Sequence, residues 1–161
     1  MPDQSRTEDI ERRFEQCYEE SWLPTFRFAL AWTNDWGSAE DLAQEAFARL
    51  WAGRAKVDWT QPLLPWLLVV TRRLAMDRFR RLRSAARAFD GGGETRLDSD
   101  ARLRWIDVRA SMAGLTAHQR SALVLVHVLG LPVSDAATTL GISGNAVRAA
   151  ISRARERLDD R

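Results

Sequence analysis

Apolar residues recur along this chain at intervals of three and four, and no alternating apolar and polar run is long enough for a strand. The pattern predicts an all-α protein. Helices are expected over about Asp9 to Ser21, Pro24 to Trp32, Ser38 to Ala52 and Pro65 to Arg87. Ser38, followed three residues later by Asp41, gives a helix-start signal related to the capping box, and Pro65 suits a first helical turn. The run Phe89 to Asp100, FDGGGETRLDSD, has three consecutive glycines and almost nothing to bury, the composition of a flexible linker. Beyond it, Ala101 to Ala113 and Thr116 to Leu129 read as helices. The expected organisation is two small helical domains, residues 1–88 and 101–161, joined by a linker at 89–100.

The last 30 residues carry the sharpest pattern. Ala136, Ala137 and Leu140 form one apolar side, Gly141 can supply a left-handed corner, Ile142 can plug it, and Ser143 is a good N-cap. After the corner, Val147, Ile151, Ala154 and Leu158 share one helical stripe while Arg148, Ser152 and Arg155 share another. Such a helix can pack and still present charge. The pattern fits a helix-turn-helix whose second helix reads nucleic acid. A stand-alone helix-turn-helix regulator, or a plain helical hairpin with a solvated basic face, fits the same residues.

Charge narrows the choice. The formal net charge is only +2, and nearly all the positive charge is arginine, whose fork suits phosphates and base edges. Its placement is uneven. Arg72 to Arg87 holds seven arginines against Asp77, whereas Asp35 to Glu45 holds four acids and no base. Two partners of opposite charge are implied. In the third helix Asp41, Gln44 and Glu45 lie on one side, and Leu42, Ala46, Phe47, Leu50 and Trp51 on the other. In the fourth, Leu67, Val70, Leu74, Ala75, Phe79 and Leu82 are expected in the core, with Arg72, Arg73, Arg78, Arg80, Arg81 and Arg83 outside. Asp77 is four residues from both Arg73 and Arg81, the spacing of helical ion pairs. Trp66 is expected in the core; Trp59 divides evenly between core and a platform for unpaired bases.

Enzymatic chemistry finds no constellation. His118 and His127 are the only histidines, neither has metal-ligand spacing, and His127 within LVLVHVLG reads as a packed residue. GGGETRL lacks the lysine and preceding strand of a phosphate loop. Cys17 is the only cysteine, which leaves no disulfide or thiolate cluster. Neither metal nor cofactor is expected. The start of the chain lacks a signal-peptide pattern, and Leu63 to Val70 is too short to span a bilayer, so a cytoplasmic protein without membrane insertion is expected.

Three strings in order, AEDLAQEAFARLW, PWLLVVTRRLAMDRFRRLR and LTAHQRSALVLVHVLGLPVSDAATTLGISGNAVRAAISRARERL, resemble the two domains of an extracytoplasmic-function sigma factor of the sigma-70 family. The resemblance implies a sigma-2-like domain and a sigma-4-like helix-turn-helix domain that bind core RNA polymerase and direct promoter-specific initiation. It implies that Asp41, Gln44, Glu45 and Trp51 dock on the basic clamp helices, and that the second domain meets the flap. It implies that the loop from about Arg54 to Pro65, with Trp59, captures a flipped −10 base, while Arg72, Arg73, Asp77, Arg80 and Arg81 hold the duplex edge and the non-template strand. Asn145, Arg148, Ser152, Arg153 and Arg155 become the −35 contacts, and an anti-sigma factor becomes a partner. The chain departs from the family's pattern at Arg73, where Asn is usual, and at Gly144, Ala149 and Ala150, which implies −35 readout shifted toward phosphates and DNA shape.

Overall fold

The computed structural model describes residues 2–86 and 110–160. The linker expected at Phe89 to Asp100, and most of the helix expected from Ala101 to Ala113, lie outside them. Among the described residues all regular structure is helical: α1 (Pro2–Thr33), α2 (Trp36–Ala52), a 3-10 turn (Arg54–Lys56), α3 (Leu64–Ala86), α4 (Ala117–Leu123) running into a π-helical turn (Val124–Val128), α5 (Val133–Leu140) and α6 (Gly144–Asp159).

The first difference from the sequence pattern is α1. Two helices were expected with a break before Pro24; one helix runs through it. Proline removes one backbone donor, the bond that would reach the carbonyl of Glu20. Glu20 is exposed, so water can take that carbonyl, while Ser21, Thr25, Phe26, Phe28 and Ala29 on the same helix are buried. Packing outweighs the lost bond. The second difference is the start of α2. Asp35, not Ser38, is the N-cap, and its Oδ2 accepts from the Ser38 backbone N–H at 2.9 Å.

Helices α1, α2 and α3 pack around Phe28, Leu42, Phe47, Leu50, Leu67 and Leu68, and α4, α5 and α6 around Leu125, Leu140 and Val147. These two groups form one continuous core. Helix α4 and the π turn rest on α1, and α5 rests on α3. The centre of the contact is Arg120, 9% exposed. Its Nε donates to the Ala31 carbonyl at 2.7 Å, Nη2 to Trp32 at 3.3 Å, and Nη1 to Leu115 at 2.6 Å. Beside it the His118 ring stands edge-on to Trp32, centroids 5.1 Å apart.

The end of α1 explains why an arginine belongs there. The last carbonyls of a helix lack partners within it and carry the negative end of its dipole. The left-handed Asn34 (φ 50°) returns its N–H to Leu30, and Thr33 Oγ1 donates to Ala29. Ala31 and Trp32 remain, and α1 has no basic residue in its own last turn. Arg120 takes both from across the interface.

Arg120→Met should therefore lower stability by about 3 kcal/mol, since buried carbonyls lose a charged donor, with Arg120→Lys intermediate. Urea unfolding checks this, and a midpoint equal to wild type would remove Arg120 from the interface energetics. His118 gives a pH dependence. Burial, and secondarily the charge of Arg72, hold its pKa below the ordinary histidine value. Below about pH 6.5 the unfolded chain therefore binds a proton that the folded chain refuses, and stability falls as pH drops until the folded pKa is passed. Unfolding curves at pH 5.5 and 7.5 should show a drop that shrinks in His118→Gln.

Candidate nucleic-acid interface and its acidic counterpart

The corner between α5 and α6 follows from its sequence. Gly141 ends α5 in the left-handed conformation (φ 66°, ψ 33°), and the N–H groups of Gly141 and Ile142 reach back to Thr138 and Ala137 at 3.3 and 3.1 Å. That pair of bonds closes the helix end with a Schellman-type cap. Ser143 opens α6, its Oγ accepting from the Ala146 N–H at 3.1 Å. Val147, Ala150, Ile151 and Ala154 are buried; Asn145, Arg148, Ser152, Arg153 and Arg155 are exposed. Ala150 thus belongs to the packed side of α6, where a small residue fits, and not to its outer face.

Most of the exposed set is held in place. Arg148 donates to Asn145 Oδ1 at 3.1 Å, Ser152 to Glu156 Oε1 at 3.4 Å, and Arg155 meets His127 Nε2 at 2.9 Å. His127 was expected in the core and is exposed. The reason is the π turn, which breaks the 3.6-residue period on which that expectation rested.

On α3 burial stops at Ala75 among the described residues. Phe79 and Leu82, expected in the core, are 42% and 54% exposed, and Trp66 is 43% exposed. The outer face therefore interleaves Arg73, Met76, Phe79, Arg80, Arg81 and Arg83. Rings beside cations are the composition that single-stranded nucleic acid selects. Asp77 pairs with Arg80, not with Arg73 or Arg81. Arg72 is half-buried under the helix-turn-helix corner: a side-chain carbon at Gly141 would lie 3.2 Å from its Nη2, and its Nε is buried without a hydrogen-bond partner.

Trp59 sits at the rim of the core, its ring edge-on to Phe14 at 6.4 Å and its Nε1 donating to the Arg54 carbonyl at 3.1 Å. Asp58 accepts from the Thr60 hydroxyl and backbone N–H, which holds its carboxyl below the usual range. The loop before α3 is thus braced internally.

The acidic stripe lies on the exposed side of α2. Leu42, Ala43, Ala46, Phe47 and Leu50 face in; Asp41, Gln44 and Glu45 face out. Two partners reduce its charge: Arg49 Nε at 3.1 Å from Glu45 and Arg78 Nη1 at 3.6 Å from Asp41. Trp51 is half-buried, edge-on to Phe14 at 5.0 Å with the Arg54 guanidinium 4.2 Å over its ring. Beside it runs a groove of about 550 Å³ lined by Phe14, Tyr18, Phe47 and Trp51 and rimmed by Glu11, Glu15 and Gln44. The α1 half of that groove was missed from the sequence. Glu11, Glu15, Tyr18 and Trp22 do recur at helical spacing, which was the available signal.

Residues 20–85 match Sigma-70 region 2, and residues 106–158 match Sigma-70 region 4. Over 152 residues the chain is 33% identical to a probable RNA polymerase sigma-C factor of Mycobacterium bovis, covering 91% of this chain and 82% of that one. This chain is an extracytoplasmic-function sigma factor of the sigma-70 family. A second relative, the sigma factor EcfG of Rhodopseudomonas palustris, is 31% identical over 144 residues, covering 84% of this chain and 78% of the relative. The fold is also that of the sigma factor RpoE of Bartonella quintana, solved in complex with the anti-sigma factor NepR. The TM-score is 0.71 at 24% identity, covering 91% of this chain and 94% of that one.

A sigma factor directs promoter-specific transcription initiation, and the two regions of this one account for the all-α, two-domain fold. In this sigma factor the Gly141 contact with Arg72 joins a residue of region 4 to one of region 2. Gly141→Ala should cost about 1 to 2 kcal/mol for the left-handed backbone. Displacement of the Arg72 guanidinium adds to that. Gly141→Asn, which tolerates the backbone but keeps the side-chain carbon, should fall between the two. Chemical denaturation of the three proteins gives the ranking, and equal midpoints would show that the corner does not need glycine.

Proposed function

We propose that this sigma factor binds core RNA polymerase through the acidic and aromatic face of α1 and α2, and that Asp41, Gln44, Glu45 and Trp51 dock on the basic clamp helices. The unit at 1–88 then serves the −10 element: Trp59 belongs to the base-capturing loop, and Arg72, Arg73, Asp77, Arg80 and Arg81 hold the duplex edge and the displaced strand. The unit at 101–161, tethered through 89–100, meets the flap and sets α6 in the major groove at −35, with Asn145, Arg148, Ser152, Arg153 and Arg155 as contacts. Catalysis belongs to the polymerase. An anti-sigma factor is the expected regulator, as relatives solved with NepR and with the cytosolic domain of CnrY suggest, and the cytoplasm is the expected location. No helix among the described residues is long and apolar enough to cross a membrane.

One observation carries this reading. Two exposed faces of opposite chemistry stand on packed helices: the acidic outer side of α2, and the arginine-bearing outer sides of α6 and of α3, the last packed only as far as Ala75 among the described residues. Clamp helices and DNA are matching partners of opposite sign. Stacking on exposed rings, about 1 to 3 kcal/mol per base, offsets the unpairing of −10 bases.

Geometry adds a requirement. The two elements lie about 25 base pairs apart, about 85 Å along the duplex at 3.4 Å per step. A compact chain of this length has a radius of gyration of about 15 Å. The Arg120 contact must therefore open before both elements are held.

Purified protein with core polymerase should form a stable holoenzyme and start transcripts from a restricted set of genomic promoters. Asp41→Arg with Glu45→Arg should reduce holoenzyme formation at least tenfold with unchanged helicity, since charge matched to a basic partner is inverted. A wild-type protein that forms no holoenzyme overturns the sigma reading. Undiminished binding by the double variant leaves the α2 face solvated and moves the docking surface elsewhere.

A further inference from the structure

His127 is a polar side chain that the function above does not use. It is one of two histidines in the chain, and the π turn alone brings it to the surface. There the Leu129 N–H reaches five residues back to Val124 at 2.8 Å, and the Leu131 N–H reaches Leu125 at 2.9 Å. The widened turn keeps Val124 and Leu125 buried and swings His127 off their line toward α6. Turns of this kind recur where a side chain has a task.

At its destination Nε2 stands 2.9 Å from Arg155 Nη2. A guanidinium is a donor only, so Nε2 must be the acceptor and the ring must be neutral with its proton on Nδ1. The pair opens onto a groove of about 440 Å³ between the π turn, α5 and α6. The other charged groups on that groove are Arg148, Glu156 and Asp159, all from α6; α5 contributes only Val133. Arg148 is tied to Asn145 and Glu156 to Ser152, both within α6. Arg155 is thus the outer-face arginine of α6 whose side-chain partner lies on another element.

We propose that His127 is a positioning residue for DNA reading: its ring nitrogen fixes Arg155 by one N–H, and loss of that acceptor frees the arginine, so discrimination between DNA sequences weakens. This rests on α6 being the helix that enters DNA. The guanidinium has five N–H donors, so four remain for bases or phosphates while the histidine bond persists. An arginine that has lost its side-chain partner still attracts phosphates of any sequence. The diagnostic quantity is therefore discrimination, the affinity for a selected duplex divided by that for a scrambled one.

The test uses the full-length protein and a duplex that it selects from random DNA. In the free protein at pH 7.5, nitrogen-15 spectra of the His127 ring should show the Nδ1–H tautomer; the Nε2–H tautomer would overturn the proposal without reference to DNA. At pH 7.5 His127→Leu should lower discrimination about fivefold, the scale of freeing one long side chain at an interface. His127→Gln keeps a side-chain acceptor and should stay within about twofold of wild type. Wild-type discrimination in His127→Leu, or discrimination in His127→Gln as low as in His127→Leu, overturns the role of the ring acceptor. Arg155→Ala separates the two claims. If it weakens discrimination and His127→Leu does not, positioning is refuted and the DNA role of α6 stands. If it leaves discrimination unchanged, Arg155 is not a contact, and that part of the DNA role falls together with the positioning.

Discussion

A helix that ends inside a protein must find partners for its last carbonyls, and in this sigma factor one of them is borrowed from the other domain. Arg120 reaches the Ala31 and Trp32 carbonyls at the end of α1, where the helix has no cation of its own. Its cost of burial is met by three carbonyls, one of them on its own side at Leu115. His118 and Arg72 also stand at the boundary, against Trp32 and Gly141, and the rest of the shared core is apolar; apolar contact alone is tolerant of register. The planar fork is not, since its bonds fix direction as well as distance. Regions 2 and 4 meet in one arrangement because a guanidinium and a helix end leave little choice.

The same division of labour runs through the outer surfaces. The functional faces of α2 and α6 occupy the outer sides of helices whose inner sides are packed tightly enough to fix their rotation. Val147, Ile151 and Ala154 do this for α6, and Ala39, Leu42, Ala43 and Ala46 for α2. The small residues matter as much as the large ones, because they let helices approach until the polar side has no freedom to turn. Charge inside these faces is also arranged: Arg49 and Arg78 brace two of the α2 carboxylates, and Asp77 braces Arg80. Preordered groups lose less freedom when a partner arrives.

What the sequence disclosed, and what it concealed, has a common cause. Where one local rule acts alone, it was legible: the Gly141 corner, the Ser143 cap, and the opposed faces of α2 and α6 all follow from spacing. Where two rules compete, only packing decides. Proline at 24 argues for a break, and the aromatic and small residues around it argue for continuity; the second prevails because the orphaned carbonyl lies on the wet side. Phe79, Leu82 and Trp66 have core chemistry, yet α3 extends beyond what its neighbours cover, and periodicity does not say where a neighbour stops. His127 was misplaced because a π turn resets the helical phase after residues that fit it. Arg120 gave no signal, since its partners are backbone atoms, two of the three some 90 residues away.

The corner glycine over Arg72 has one more consequence. With the two regions together, the Arg72 Nε is buried with no hydrogen-bond partner in the protein, the one arginine nitrogen among the described residues in that position. A buried donor without a partner is a standing deficit, and any acceptor that reaches it gains a bond without breaking another. The closed arrangement is thus satisfied at one arginine and not at the other: Arg120 has a carbonyl for each of its three nitrogens, while the Arg72 Nε on α3 has none, so parting the regions would cost bonds at the first and restore hydration at the second.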